Sequence, residues 1–311
     1  MTGAEIDSFR VIVDDQTRLA MAFILMGMMF TVALALNIED FRAVRQQPVR
    51  VIGGVIAQIL GLPLLTLGLV LILAPPASIA LGMFVVASCP GGNVSNLLTH
   101  FARGNTAYSV SLTTISSVSA ALATPVSILF WSSVYGPTAQ LVQQLEISPM
   151  PFVTQTVTLL AVPLAAGMLV AARWPRLAAR IRAVLMPLSL AGIGVLIVVG
   201  VVQNWTIILA IGAIIIPIAV IHNASAFGLG ALSGRVLRLD APSRRSLTFE
   251  VGIQNSGLGL IILLSQFDEL GGAAAITGMW SIWHLVAGTG LIGLYRGLDW
   301  LKIARETKMA P

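Results

Sequence analysis

The run Phe249-Glu250-Val251-Gly252-Ile253-Gln254-Asn255-Ser256-Gly257 sets a carboxylate, two carboxamides and two glycines inside a stretch otherwise apolar enough to lie in a bilayer. A carboxylate at mid-helix depth costs about 2.5–3.5 kcal/mol on insertion scales, so an acidic residue there points to function. Glycines with amides between them interrupt a helix and free carbonyls that lipid cannot satisfy, which is tolerated only where the backbone lines a polar cavity. A bound cation satisfies the carboxylate and the freed carbonyls together.

A second break of the same kind is Cys89-Pro90-Gly91-Gly92-Asn93-Val94-Ser95-Asn96. Downstream, Ser109 and Thr113 are spaced i and i+4 and share one helix face. Such hydroxyls either bond their own i−4 carbonyls and pack against neighbouring helices or serve the adjacent break. Gln58, mid-helix in Val55-Ile56-Ala57-Gln58-Ile59-Leu60, is either an interhelical hydrogen bond or part of the same polar centre. His222 beside Asn223 reads as a packing hydrogen bond more than as a proton relay. Trp280, Trp283 and Trp300 read partly as interface anchors.

The elements that must position these groups are membrane helices. With 57% hydrophobic and 10% charged residues among 311, and a mean hydropathy of +0.91, the chain has too few charges to cover a soluble surface. The lone Cys89 excludes an intrachain disulfide and a cysteine metal cluster. Measured against the roughly 20 residues a spanning helix needs, nine apolar runs are expected: 19–36, 49–74, 78–102, 105–131, 152–172, 184–203, 205–232, 246–266 and 272–295. Only Gln203-Asn204 parts the sixth from the seventh. Residues 1–17 form a polar segment with acidic flanks, unlike a cleaved signal, and 18–311 a single membrane domain.

Sixteen of the 18 Lys and Arg residues follow spans 1, 3, 5, 7 and 9, among them Arg42, Arg45 and Arg50, Arg103, Arg173 to Arg182, Arg235 to Arg245, and Arg296 to Lys308. Basic residues collect on cytoplasmic loops, so the expected arrangement is N-terminus outside, C-terminus inside. The formal charge of +5 is thereby topology and not a nucleic-acid surface. The two broken spans, 3 and 8, are an odd number of crossings apart and run in opposite directions, as in an inverted repeat of spans 1–4 and 6–9.

Pro90-Gly91-Gly92-Asn93-Val94-Ser95-Asn96, Ala102-Arg103-Gly104-Asn105 followed by Ser109 and Thr113, Glu250 to Gly257, and Trp283-His284 occur in the order and spacing of one family. The chain resembles the bile acid:sodium symporter family, over nearly its whole length from the first span. The resemblance implies an all-α polytopic fold with two discontinuous helices crossing at the midplane, a core of spans 2–4 and 7–9 and a panel of spans 1, 5 and 6. It implies two sodium sites, one of Ser95, Asn96, Ser109, Thr113 and Glu250, the other of Gln58, Gln254 and Glu250 with the backbone carbonyls of Val251 and Ile253. It implies an organic anion held near Asn93, Asn255 and His284, moved with sodium by alternating access in a bacterial inner membrane. Asn93 and Leu285 depart from what relatives often carry at those positions, which leaves the substrate open. Lipid and the anion are the partners expected, with no obligate protein partner. The chain contains no HExxH or GxSxG, so no hydrolase is expected. A proton-coupled or sodium-independent carrier, and a non-transporting receptor, are the alternative readings.

Overall fold

The computed structural model describes residues 2–10, 15–36, 46–203, 205–267 and 270–309. Arg42 and Arg45 of the basic-loop count, Asn204 and part of the connection before Gly271 lie outside the described residues. Thirteen helices run through the described chain: α1 (Gly3–Ser8), α2 (Asp15–Ala33), α3 (Pro48–Leu73), α4 (Ala77–Ser88), α5 (Asn93–Phe101), α6 (Thr106–Val134), α7 (Gly136–Gln144), α8 (Pro149–Arg173), α9 (Pro175–Gln203), α10 (Trp205–Val236), α11 (Ala241–Gly252), α12 (Ser256–Gln266) and α13 (Gly271–Met309). Among them, α3, α6, α8, residues Leu209–Val236 of α10 and Gly271–Lys302 of α13 are each long and apolar enough to cross a bilayer. The protein is an all-helical, polytopic membrane protein.

The expected spans 78–102 and 246–266 are each two helices. Pro90 has no N–H to continue α4, and Gly92 stands in extended conformation as the N-cap of α5. Downstream, α11 stops at Gly252, Ile253 is extended, and Asn255 restarts the chain by accepting a hydrogen bond from the Leu258 amide at 3.3 Å. The two breaks lie against each other in an antiparallel bridge, with Asn255 N donating to Pro90 O at 2.8 Å and Gly92 N donating to Ile253 O at 3.4 Å. Backbone groups that lipid could not satisfy are thus paired between the two interruptions.

Packing sorts the helices into two groups. Helices α2, α8 and α9 pack on one another, with α8 also against α6 and α2 against α12, whereas α10, α11 and α13 pack with α3 and α4. At the centre, α4 is buried along Ser78–Ser88 and apolar on every side, as an enclosed helix must be. Its N-cap, Pro76, has no acceptor side chain, and Asp7 supplies one. The Asp7 carboxylate accepts from Ser78 N at 2.7 Å, Ser78 Oγ at 2.6 Å and Ala77 N at 3.1 Å. Beside it Ile6 is buried, and Phe9 O accepts from Gly271 N at 2.9 Å, so the segment 3–10 is strapped across the ends of α4 and α13. Asp7→Ala should lower the thermal midpoint in detergent by the equivalent of about 1–2 kcal/mol, the usual loss of a capping acceptor. Asp7→Asn, which keeps an oxygen, should recover most of it.

Several boundaries differ from the sequence expectation. The connection after α6 contains α7, whose amphipathic turn is too short and polar for a hydropathy window. The last helix continues past 295 to Met309, because charged residues end a hydropathy run without ending a helix. There Asp299 takes both terminal nitrogens of Arg245, and Arg245 Nη1 also donates to Ala102 O at 2.8 Å. Trp280 is not an interface anchor: it is fully buried, between the rings of His222 and His284.

Candidate functional site

The crossover gathers the polar side chains. Glu250, in the last turn of α11, is fully buried. Its Oε2 accepts from Ser95 Oγ at 2.7 Å, and Thr113 Oγ1 lies 2.8 Å from each carboxylate oxygen. Thr113 Oγ1 is also 3.2 Å from Asn96 Oδ1 and 3.1 Å from the Ser109 carbonyl. One hydroxyl has one proton to give, yet four oxygens crowd it. The Ser109 hydroxyl is 3.3 Å from Thr99 Oγ1, on the edge of the same cluster. Ser95, Asn96, Ser109, Thr113 and Glu250 therefore form one oxygen-rich, proton-poor centre contributed by α5, α6 and α11.

On the other side of Glu250 lies Gln58, in a π-helical turn over Ala57–Gly61. Such turns redirect a side chain within an otherwise regular helix and recur at functional sites. Gln58 Nε2 donates to Glu250 O at 3.3 Å and to Gln254 Oε1 at 3.4 Å, and Gln254 Nε2 donates to Val251 O at 2.8 Å. Gln58 Oε1 is buried with no hydrogen-bond partner. Of the two carbonyls implied by the resemblance, Val251 O thus already accepts from Gln254, and Ile253 O from Gly92; each keeps a second lone pair. The packing here leaves no room at Gly91: a Cβ on it would stand 2.0 Å from Glu250 Oε1 and 3.0 Å from Gln58 Nε2.

An orphaned amide oxygen, a buried carboxylate and surplus hydroxyl and carbonyl oxygens suit a hard monovalent cation. Among the described residues no group of three His, Cys, Asp or Glu could hold a transition metal. Helix ends complete the electrostatics. The C-termini of α4 and α11, with their partial negative charge, and the N-termini of α5 and α12, with their partial positive charge, meet at the crossover.

Asn93, Asn255 and His284 line a single cavity of about 260 Å³. Its walls are the crossover, α13, and Met28 and Thr31 of α2 with Ser189 of α9, so it opens between the two helix groups. His284 Nδ1 is 2.7 Å from Trp280 O. A carbonyl only accepts, so Nδ1 carries the proton and Nε2 is the atom left for a ligand. A second cavity of about 470 Å³ runs from Asn93, Asn96 and Thr113 to His100 and Arg182.

Two further groups near this centre have no distinguishing sequence signal. Thr99 joins Ser109, and Asn223 Nδ2 donates to Gly252 O at 2.8 Å. An amide beside a histidine in an apolar helix carries no signal that separates this from ordinary packing. His222 itself does pack, its Nε2 lying 2.8 Å from Thr66 Oγ1.

The sodium bile acid symporter family matches residues 22–211, a range that includes the first broken helix and all of α9. The chain is 34% identical over 261 residues to the uncharacterized sodium-dependent transporter YocS of Bacillus subtilis, covering 84% of this chain and 78% of that protein. It is 28% identical over 290 residues to the probable sodium/metabolite cotransporter BASS1, chloroplastic, of Arabidopsis thaliana, 93% of this chain and 69% of the relative. The human ileal sodium/bile acid cotransporter is 28% identical over 222 residues, 70% of this chain and 61% of the relative. With its broken-helix crossover, buried carboxylate and this extent of similarity, the chain belongs to the sodium bile acid symporter family, a family of membrane transporters and not of enzymes.

Proposed function

We propose that the protein is a sodium-coupled symporter of an organic anion that works by alternating access. The observation that carries this reading is the fully buried Glu250 carboxylate set among more oxygens than protons, with Gln58 Oε1 unpaired beside it. Two sodium ions are cargo in the proposal. One is held by Ser95, Asn96, Ser109, Thr113 and Glu250. The other is held by Gln58, Gln254 and Glu250 with the carbonyls of Val251 and Ile253. The anion lies in the cavity of Asn93, Asn255 and His284, at the N-terminal ends of α5 and α12, where helix dipoles favour negative charge. The relatives' printed names include sodium-dependent transport, a metabolite and bile acid, and a carboxylate or bile-salt-like substrate is the class proposed here.

In this reading the chain makes nine crossings with the C-terminus in the cytoplasm of a bacterial inner membrane. Spans 1–4 and 6–9 are inverted repeats. The antiparallel bridge at Gly91 and Gln254 supports that, since it relates the two breaks by a local two-fold. Helices α2, α8 and α9 form the panel that moves against the rest. Ordering of the crossover by sodium precedes docking of the anion, and linkage requires the reverse coupling too.

A thermal-shift screen of organic acids, taurocholate among them, in sodium, potassium and choline chloride tests the proposal. The expected result is stabilisation by a ligand in sodium, with affinity at least tenfold weaker in the other two salts. Equal affinity in all three removes sodium from the mechanism.

A further inference from the structure

Gln58 is not alone in docking a carboxamide on the broken end of α11. Asn223 of α10 is fully buried, and its Nδ2 donates to Gly252 O at 2.8 Å. That bond decides how the amide lies, because turned over it would set oxygen against oxygen. Oδ1 is then left buried without a hydrogen-bond partner, the same condition as Gln58 Oε1. An orphaned buried acceptor is costly and uncommon in native proteins, so each one calls for a cause. Here two amides from two helices grip neighbouring carbonyls of one broken turn, Glu250 O and Gly252 O, and both hold back their oxygens. The turn is a helix C-terminus, where the macrodipole is negative. Buried acceptor oxygens without a protein donor at a negative helix end are a setting for a cation.

We propose that Asn223 Oδ1 is a further ligand of the cation held by Gln58 and the 250–254 turn. The inference rests on the sodium-symport reading of this site and adds to it a ligand from α10. The ion then joins three helices, α3, α10 and α11, and its arrival is felt along α10, which packs closely with α11. A buried water donating to the same oxygens is the competing occupant.

The test is a sodium titration of the purified protein at constant ionic strength, balanced with potassium and read as the thermal midpoint. In the wild type, sodium should raise the midpoint cooperatively. In Asn223→Ala the half-saturating sodium concentration should rise at least tenfold and cooperativity should fall toward that of one site. The potassium-only midpoint should drop by much less than the sodium-dependent rise that is lost. Asn223→Gln, which keeps both a donor for the Gly252 carbonyl and an amide oxygen, should restore part of the sodium binding lost in the alanine variant. If Asn223→Ala lowers the midpoint equally in both salts and leaves the sodium response intact, the residue is structural or water-bound and the inference is wrong. Should the alanine variant fail to fold, the near-isosteric Asn223→Leu takes its place, and a sodium response left intact in it is equally fatal. A wild-type protein indifferent to sodium would instead overturn the functional reading itself.

Discussion

Glu250→Ala is expected to reduce sodium-driven accumulation of substrate more than 100-fold while leaving a folded, monodisperse protein. Glu250 is the fixed negative charge at the crossover, and nothing else among the residues placed there supplies one. Its removal takes away a buried charge that is itself costly in a membrane. The hydroxyls it leaves behind have substitutes: Thr113 can turn to the Ser109 carbonyl at 3.1 Å or to Asn96 Oδ1 at 3.2 Å, and Ser95 Oγ already lies 3.5 Å from Thr113. The thermal midpoint in potassium should therefore hold or rise, and the increment produced by sodium should vanish. Glu250→Gln sharpens the comparison. It preserves size and one acceptor, so a proton-coupled carrier would still exchange substrate, whereas a sodium symporter would not. Proteoliposome uptake on an inward sodium gradient reads both variants, and accumulation by Glu250→Ala would remove the carboxylate from the mechanism.

The second large effect is expected from a single methyl group. Gly91→Ala places a Cβ 2.0 Å from Glu250 Oε1 and 2.7 Å from its carboxyl carbon. The backbone cannot retreat easily, because Pro90 O and Gly92 N on either side are bonded to Asn255 and Ile253. The carboxylate must therefore leave Ser95 and Thr113, and the half-saturating sodium concentration should rise at least tenfold. Gly278→Ala is the control: nothing lies within 4 Å of a Cβ there. It should leave sodium binding within twofold and stabilise its helix by up to about 1 kcal/mol. A Gly91→Ala protein with wild-type sodium response would mean that the carboxylate does not need the position described.

Both predictions rest on residues that sequence could single out, and the reason is chemical. Pro90 removes a helix donor and Gly91, Gly92, Gly252 and Gly257 weaken the helix inside apolar stretches, and Glu250 stands out because a carboxylate has no business in lipid without a partner. The pairing of the two breaks through backbone hydrogen bonds was not legible, since main-chain groups carry no residue-specific signal. Nor was the π turn that aims Gln58, which depends on what packs against α3. Trp280 misled in the other direction: an indole near the end of a membrane chain suggests an interface, but α13 turns that face inward onto His222. Asn223 carried no signal of its own beside His222, because its partner is a carbonyl exposed only once α11 breaks. Residues 1–17 read as a polar segment, although Ile6, Asp7 and Phe9 seat residues 3–10 against α4 and α13.

That strap has a consequence for how the molecule is made. Asp7 waits for Ser78, and Phe9 waits for Gly271, whose position leaves so little space that a Cβ would strike the Phe9 ring. At synthesis rates of roughly 5–20 residues per second, residue 9 exists for tens of seconds before residue 271 emerges. The capping carboxylate can find α4 early, but the backbone bond to α13 can form only after the last long helix has been inserted. Closure of this end is therefore a late assembly step. It joins two points far apart in time, and until it happens the ends of α4 and α13 lack the tie that the strap makes between them.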